Sequence, residues 1–248
     1  MDKQYIQLYS LKDVIVGDFA GTLTKLKQIG YDGVEFFGGF YGGHSAAELK
    51  QMMESLGLEA LGSHIVTEKI PDQVKYAAEL GMPFLIDPMA AIYSYDEAMT
   101  AAKRFNEAGR ICKEHGISFG YHNHHHEFKT DKDVYLLETV MLNTDPELVF
   151  IELDVGWAAY AGADSAALIN KYPGRFKLIH FKECGYTEGA GGKDEWNVKS
   201  GQGLIDWTEI KKASLAQGTE GFVVEREYDY ANDIWKCVEE DHKFLAAL

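Results

Sequence analysis

Cysteine is scarce in this chain: Cys112, Cys184 and Cys237 are odd in number, lie far apart and form no CxxC pair. That excludes a disulfide-stapled scaffold and a cysteine-based zinc site, and it fits a reducing compartment. Basic residues are outnumbered, with Lys+Arg 24 against Asp+Glu 39 and a formal net charge of −15. A surface of that sign repels a phosphate backbone, so neither a nucleic acid nor an anionic membrane is expected as a partner. No apolar run is long enough to span a bilayer, and the opening MDKQYIQLYS has no apolar signal core, so the expected location is the cytoplasm. No GxGxxG follows the first strand-like run and no P-loop fingerprint occurs, which removes two common nucleotide-binding signatures. No linker, low-complexity tract or long charge run divides the chain, so residues 1–248 are expected to form one domain.

What is present is an apolar fraction of 46% with 12% aromatic residues, ample for a large core, and a charged fraction of 25% that argues against extended disorder. Short β-rich runs alternate with segments of helical periodicity. YIQLYS at Tyr5–Ser10 reads as the first strand, and Asp18–Ile29 carries Phe19, Leu23 and Leu26 at helical spacing before Gly30 stops it. VEFF at Val34–Phe37 precedes a helix over Ser45–Leu56, opened by a capping box of Ser45 and Glu48 and ended by Gly57. Leu58–Ile65 is a third strand, followed by a helix through Leu80; Phe84–Asp87 is a fourth, followed by a long helix over Asp96–His115. After Gly116, ISFGYHN begins the fifth. A helix near Lys132–Leu142 leads to the strand Val149–Gly156, and one near Ser165–Tyr172 leads to Phe176–Glu183. A long loop and a helix near Trp207–Gln217 lead to Gly221–Tyr228, and a helix from Asn232 closes the chain. Eight strand–helix units in about 250 residues predict an α/β fold, a single (β/α)₈ TIM barrel with right-handed crossovers. The glycine-rich GGFYGG at Gly38–Gly43 reads as a flexible loop.

Active sites of such barrels form at the C-terminal ends of the strands. Here those ends are polar: Gln7, Glu35, His64 and Asp87 on the first four strands, and His122 with Asn123 on the fifth. The sixth offers Glu152 and Asp154, the seventh His180, Lys182 and Glu183, and the eighth Glu225, Arg226 and Glu227. Side chains alternate between faces, so with Leu153 and Phe181 turned to the covering helices, Asp154, His180 and Lys182 point into the barrel mouth. So many buried charges are costly without counter-ions. Ion pairs such as Lys182 with Glu152 or Glu227 would meet that cost, and so would one divalent metal ion. Asp154, His180 and Glu225 stand on adjacent strands, which favours the ion, and carboxylate oxygens with an imidazole suit Mn²⁺, Mg²⁺, Co²⁺, Fe²⁺ or Zn²⁺. In YHNHHHEF (Tyr121–Phe128), His122 has inward parity, with Gly120 below it leaving room. His122 and His124 are site candidates, His125 and His126 are read as exposed loop residues, and Glu127 is placed to return toward the metal.

The ordered set YHNHHHEF, LDVGWAAYAG, YPGRFKLIHFKE and VVERE, with weaker support from QLYSLKD, GVEFF and GSH, resembles the xylose isomerase-like TIM barrel superfamily, in its sugar phosphate isomerase/epimerase branch. The resemblance runs nearly end to end. It implies a divalent metal held by side chains from strand ends five to eight: Asp154 matches the Asp of LD-x-G, His180 the His of H-x-K, and Glu225 the Glu of the last strand. The strand-five Glu of the epimerases is replaced by His122, so Glu127 is expected as the first ligand, and His122 as a substrate-facing group or alternative ligand. Lys182 matches the lysine set against substrate oxygens, and His64, His124, Trp157 and Glu35 are further expected substrate contacts.

The activity this implies is isomerisation or epimerisation of a keto or aldo sugar or cyclitol through an enediolate. Glu225 is the first base, with Glu127 or His122 opposite and Lys182 assisting. Loss of a β-hydroxyl on the same site, as in the inosose dehydratase-like branch, or keto-sugar lyase chemistry, is the alternative. Outside that class stand a non-catalytic sugar-binding barrel and an endonuclease IV-like metal nuclease, the latter opposed by the net charge. Trp157 is read as stacking on a sugar or packing beneath the loop, and Gly185–Gly203, with Trp196, as a lid. A homo-oligomer is left open.

Overall fold

The computed structural model describes residues 3–185, 196, 198–226 and 233–248. Eight parallel strands close into a barrel: β1 (Gln4–Gln7), β2 (Gly33–Phe37), β3 (Glu59–His64), β4 (Phe84–Asp87), β5 (Ser118–His122), β6 (Val149–Asp154), β7 (Phe176–Phe181) and β8 (Gly221–Val224), with β8 pairing back to β1. Each crossover carries helix on the outside, as chain connectivity between parallel neighbours requires.

Two cores result. The outer one lies between the strands' outward faces and the helices, and holds Leu153, Phe181, Leu23, Leu49, Val74, Phe105 and Val238. The inner one is a small apolar plug in the lower barrel: Tyr5, Leu61, Phe84, Ile86, Phe150, Leu178 and Val223. Gly120 makes the plug fit, because a Cβ there would come 2.5 Å from the Phe150 ring. The expected inward and outward parities of β6 and β7 hold.

Helix starts follow their caps. Asp18 accepts from the Gly21 amide ahead of Phe19–Ile29, and Ser45 and Glu48 form the reciprocal capping box of Ala46–Leu56, which Gly57 ends in the left-handed region at φ 65°. The element ends differ from the sequence reading where a polar side chain turns the chain early. The first strand stops at Gln7 because the Gln7 side chain accepts from the Tyr9 amide and starts a 3₁₀ turn over Leu8–Leu11. The sixth stops at Asp154, whose carboxylate caps an unexpected helix, Val155–Tyr160, by accepting from the Trp157 amide at 2.8 Å. The helix expected near Lys132 begins at Leu136, since Thr130–Asp131 and Val134–Tyr135 pair as a short ribbon turning through Lys132 and Asp133 at positive φ. The ends expected at Tyr228 and Asn232, and most of the expected lid, lie outside the described residues.

Register sets the height of each polar group. Gln7 pairs with Glu35, His122 with Glu152, and Asp154 with His180. The pairing slips between Val34 and Glu35 and again between Ile151 and Glu152, immediately before the two glutamates that lie deepest in the site. Such irregularities in a strand re-aim side chains.

Candidate functional site

Directly above the apolar plug lies a buried polar layer of two carboxylates and three imidazoles. Glu152 Oε2 is 2.8 Å from His64 Nε2, 3.1 Å from His122 Nδ1 and 3.1 Å from His180 Nε2. Glu35 Oε2 accepts from Gln7 Nε2 at 2.7 Å and lies 3.0 Å from His180 Nε2 and 3.1 Å from His64 Nε2. Burial disfavours charge on all of them, but mutual pairing outweighs it for most. Burial alone would raise Glu152, and Glu35 nearby adds to that, yet the imidazoles bring it to about 2. Against its own burial, His64 is raised to about 10 by Glu35 and Glu152. His122 goes the other way: burial first, then the charge on His180, hold its imidazole neutral.

The layer above it is buried as well, with Glu225 its most exposed member. His180 Nδ1 is 2.8 Å from Glu225 Oε2, and His122 Nε2 is 3.7 Å from Asp154 Oδ2. Lys182 Nζ lies 3.5 Å from Asp154 Oδ2 and 3.8 Å from Glu225 Oε2, beneath the Trp157 and Trp196 rings. Although burial opposes ionisation of Glu225, Lys182 and His180 hold its carboxyl well below the usual range, whereas burial, with Glu225 adding to it, raises Asp154. Asp154 divides its labour: Oδ1 caps the following helix, while Oδ2 is buried near Lys182 with no hydrogen-bond partner among the described residues. Asn123 fixes the ends of β5 and β6, donating to the Asp154 carbonyl and accepting from the Asp154 amide.

Two overlapping groups bring ligand-type atoms within 4.8 Å of one another: His64, His122, Glu152 and His180 below, and His122, Asp154, His180 and Glu225 above. The upper group fits a divalent cation. Two carboxylates and two imidazoles converge there, and one carboxylate oxygen has no hydrogen-bond partner among the described residues. It also faces a cavity of about 270 Å³ with His64, His122, His124 and Glu225 at its polar side and Tyr9, Phe37, Pro88, Met89 and Trp157 as apolar wall. A larger depression of about 450 Å³ lies at the opposite end of the barrel, around Lys3, Tyr5, Glu59 and Phe84, below the plug and away from both polar layers.

Of the residues expected from sequence, the structure gathers His64, His122, Asp154, His180, Lys182 and Glu225, with His124 and Trp157 on the cavity. Glu127 stands apart from both groups. It is buried in a 3₁₀ turn, takes the Tyr121 hydroxyl on Oε1 and the His124 amide on Oε2 at 3.0 Å, and burial pushes it up to about 7. His122, the alternative ligand, occupies the strand-five place in both groups. Glu35 sits beneath the cavity rather than on it, among Gln7, His64 and His180. His125 and His126 are half-buried rather than exposed, packed on Trp157 and on Tyr93 respectively. Glu152 is a site residue the sequence does not single out: its parity with Asp154 is visible, but its place as hub of three imidazoles depends on contacts from β3, β5 and β7 that no single segment displays. Trp157 lines the cavity and packs on Trp196 and His124.

A family model described as a xylose isomerase-like TIM barrel matches residues 23–248. Among solved structures, the chain is similar to the crystal structure of a sugar phosphate isomerase/epimerase from Parabacteroides distasonis ATCC 8503, with a TM-score of 0.85, 30% identity, and coverage of 99% of this chain and 94% of that one. A second structure of the same description from that organism gives a TM-score of 0.83 and 28% identity over 100% of this chain and 99% of that one. Among curated proteins, the inosose dehydratase of Lacticaseibacillus casei is 28% identical over 151 residues, 56% of this chain and 50% of that protein. The chain thus spans about half the length of the curated relatives it matches. No helix among the described residues is long and apolar enough to cross a membrane. On the reach of the family match and the closed eight-stranded parallel barrel, the chain belongs to the xylose isomerase-like TIM barrel family.

Proposed function

We propose that this chain is a divalent-metal-dependent isomerase or epimerase of a small keto or aldo sugar or cyclitol, with His122, Asp154, His180 and Glu225 as the ligand set. The observation that carries the reading is that these four side chains, from the ends of four neighbouring strands, converge within 4.8 Å beside a cavity sized for one small ring. A bound cation would supply Lewis-acid polarisation of a substrate carbonyl and offset the charge of the enediolate. Glu225, held ionised beside Lys182 and His180, takes the proton from the carbon next to that carbonyl. His64, held protonated between Glu35 and Glu152 at the cavity's edge, donates to a substrate oxygen. Lys182 keeps Asp154 and Glu225 from repelling one another, and Trp157 with Phe37 and Tyr9 shields the reacting face from water. Glu127 is better placed to hold the His124 loop than to bind metal or move a proton.

The inosose dehydratase relatives favour a second reading, elimination of water from the same enediolate. Metal analysis of purified protein, followed by incubation with unphosphorylated and phosphorylated ketoses and inososes in D₂O, separates the outcomes. The first reading expects EDTA to abolish turnover, Mn²⁺ or Co²⁺ to restore it, and carbon-bound deuterium to appear in a product that has lost no water. Loss of water from the product transfers the assignment to dehydration. Full turnover by metal-free protein overturns both.

A further inference from the structure

We infer that Glu152 and Glu35 are positioning residues, which aim one nitrogen each of His122 and His180 at a single cation rather than binding a cation themselves. This rests on the proposed metal reading. Each of the two histidines spans both polar layers with its two ring nitrogens. His122 puts Nδ1 3.1 Å from Glu152 Oε2 and Nε2 toward Asp154, while His180 puts Nε2 between Glu35 and Glu152, at 3.0 and 3.1 Å, and Nδ1 toward Glu225. An ionised carboxylate only accepts, so the nitrogens facing Glu152 and Glu35 carry hydrogens; His122 then keeps its lone pair on Nε2, while His180, whose Nδ1 also faces a carboxylate at 2.8 Å, would free that nitrogen only as a bound cation takes the place of its hydrogen. The sense of this arrangement is fixed from outside the histidines. The Tyr9 amide donates to Gln7 Oε1 at 3.0 Å, which leaves Gln7 Nε2 to donate to Glu35 at 2.7 Å and holds Glu35 as an acceptor. His64, stacked on His180 at 5.4 Å and 10°, closes the layer by placing Nε2 on both carboxylates.

The lower group is as tightly gathered as the upper one, so a second cation there is the competing idea. Filling both would require His122 and His180 to give up both ring hydrogens and serve as bridging imidazolates. Both groups touch the cavity, the lower through His64 and His122 and the upper through His122 and Glu225, and among the described residues each holds a carboxylate oxygen without a hydrogen bond; the lower group, however, already pairs within itself, with Glu152 Oε2 within 3.1 Å of three imidazole nitrogens. One cation per chain, oriented from below, follows.

The test is titration of the full chain with Zn²⁺ alone against a chromophoric chelator, for wild type, Glu152→Gln and Glu35→Gln, with histidine ¹⁵N spectra of the zinc-loaded proteins. Wild type is expected to bind one Zn²⁺ and to show His122 protonated on Nδ1. Glu152→Gln is expected to bind 10- to 100-fold more weakly while still unfolding cooperatively, with the single His122 tautomer lost. Glu35→Gln, which touches only His180 of the two, is expected to weaken binding while leaving the His122 tautomer intact, and it carries the test if Glu152→Gln does not fold. Wild-type affinity in both variants, or two Zn²⁺ in wild type with one lost in Glu152→Gln, overturns the inference and spares the metal reading. No Zn²⁺ bound by wild type removes the metal reading itself and the inference with it.

Discussion

The same strands build the barrel interior at two heights. In the lower one, Phe150, Leu178 and Val223 meet Tyr5, Leu61, Phe84 and Ile86 in a plug without charge. Two residues further along, at the same parity, Phe150 gives way to Glu152, Leu178 to His180 and Val223 to Glu225. Both layers are buried, yet they contribute with opposite sign. Removing a side chain of Phe or Leu size from water stabilises by about 1.5–3 kcal/mol. A carboxylate taken to the same depth costs several kcal/mol unless partners meet it, and replacing such pairs with apolar groups is often neutral or better. The lower layer therefore explains why the barrel stands, and the upper one has no stability reason to exist in this form. That contrast is the physical ground for assigning chemistry to Glu35, His64, Glu152, His180 and Glu225.

If the contrast is right, variants in the two layers fail differently. The largest effect is expected from Glu225→Gln. It preserves shape and keeps Asp154 as partner to Lys182, but removes the proposed base, so turnover should fall on the order of 10²–10⁴-fold. Chemical denaturation should show a smaller stability loss than any truncation in the plug. Turnover within a few-fold of wild type would break the comparison on its polar side. Next is Phe150→Ala, expected to cost about 3–5 kcal/mol of stability by opening a void below Glu152. Turnover per folded molecule, measured well below the melting transition, should stay close to wild type. A drop matching that of Glu225→Gln would mean the plug shapes the site and the two layers are not separable.

Much of this organisation could be read from the chain alone, because barrel parity is local. Period-two alternation on β6 and β7 fixes which side chains point inward, and the capping box at Ser45 and the stop at Gly57 declare their helix without tertiary information. The site was legible to the same depth: Asp154, His180 and Glu225 each sit at a strand end with inward parity. What stayed hidden depends on where a loop goes. Glu127 is close in sequence to His122, and only the 3₁₀ turn at His126–Phe128, tied by the Tyr121 hydroxyl, shows that it turns away from the cluster of His122, Asp154, His180 and Glu225. The capping role of Asp154 was hidden for a similar reason, since a residue that ends a strand and begins a helix looks like strand until its Oδ1 is seen on the Trp157 amide. Glu35 and Glu152 needed two register slips to be placed, and such slips leave no mark in composition or periodicity.

The smallest expected effect lies at the boundary between the layers, at Gly120 directly below His122 on β5. Its φ is not in the left-handed region, so the backbone does not demand glycine; space does, because a Cβ would lie 2.5 to 2.9 Å from three atoms of the Phe150 ring. Gly120→Ala should overpack the plug and cost about 1–3 kcal/mol. The strain has one relief, movement of the Phe150 ring, so it should be non-additive with truncation there. In the Phe150→Ala background the added methyl enters the space the ring has left, and Gly120→Ala should then be neutral or stabilising. Chemical denaturation of the two single variants and the double variant closes the cycle, with an expected coupling of at least 1 kcal/mol. If the two costs simply add, the new methyl is pressing on something other than Phe150. The plug around Gly120 would then be constrained by more than the Phe150 ring.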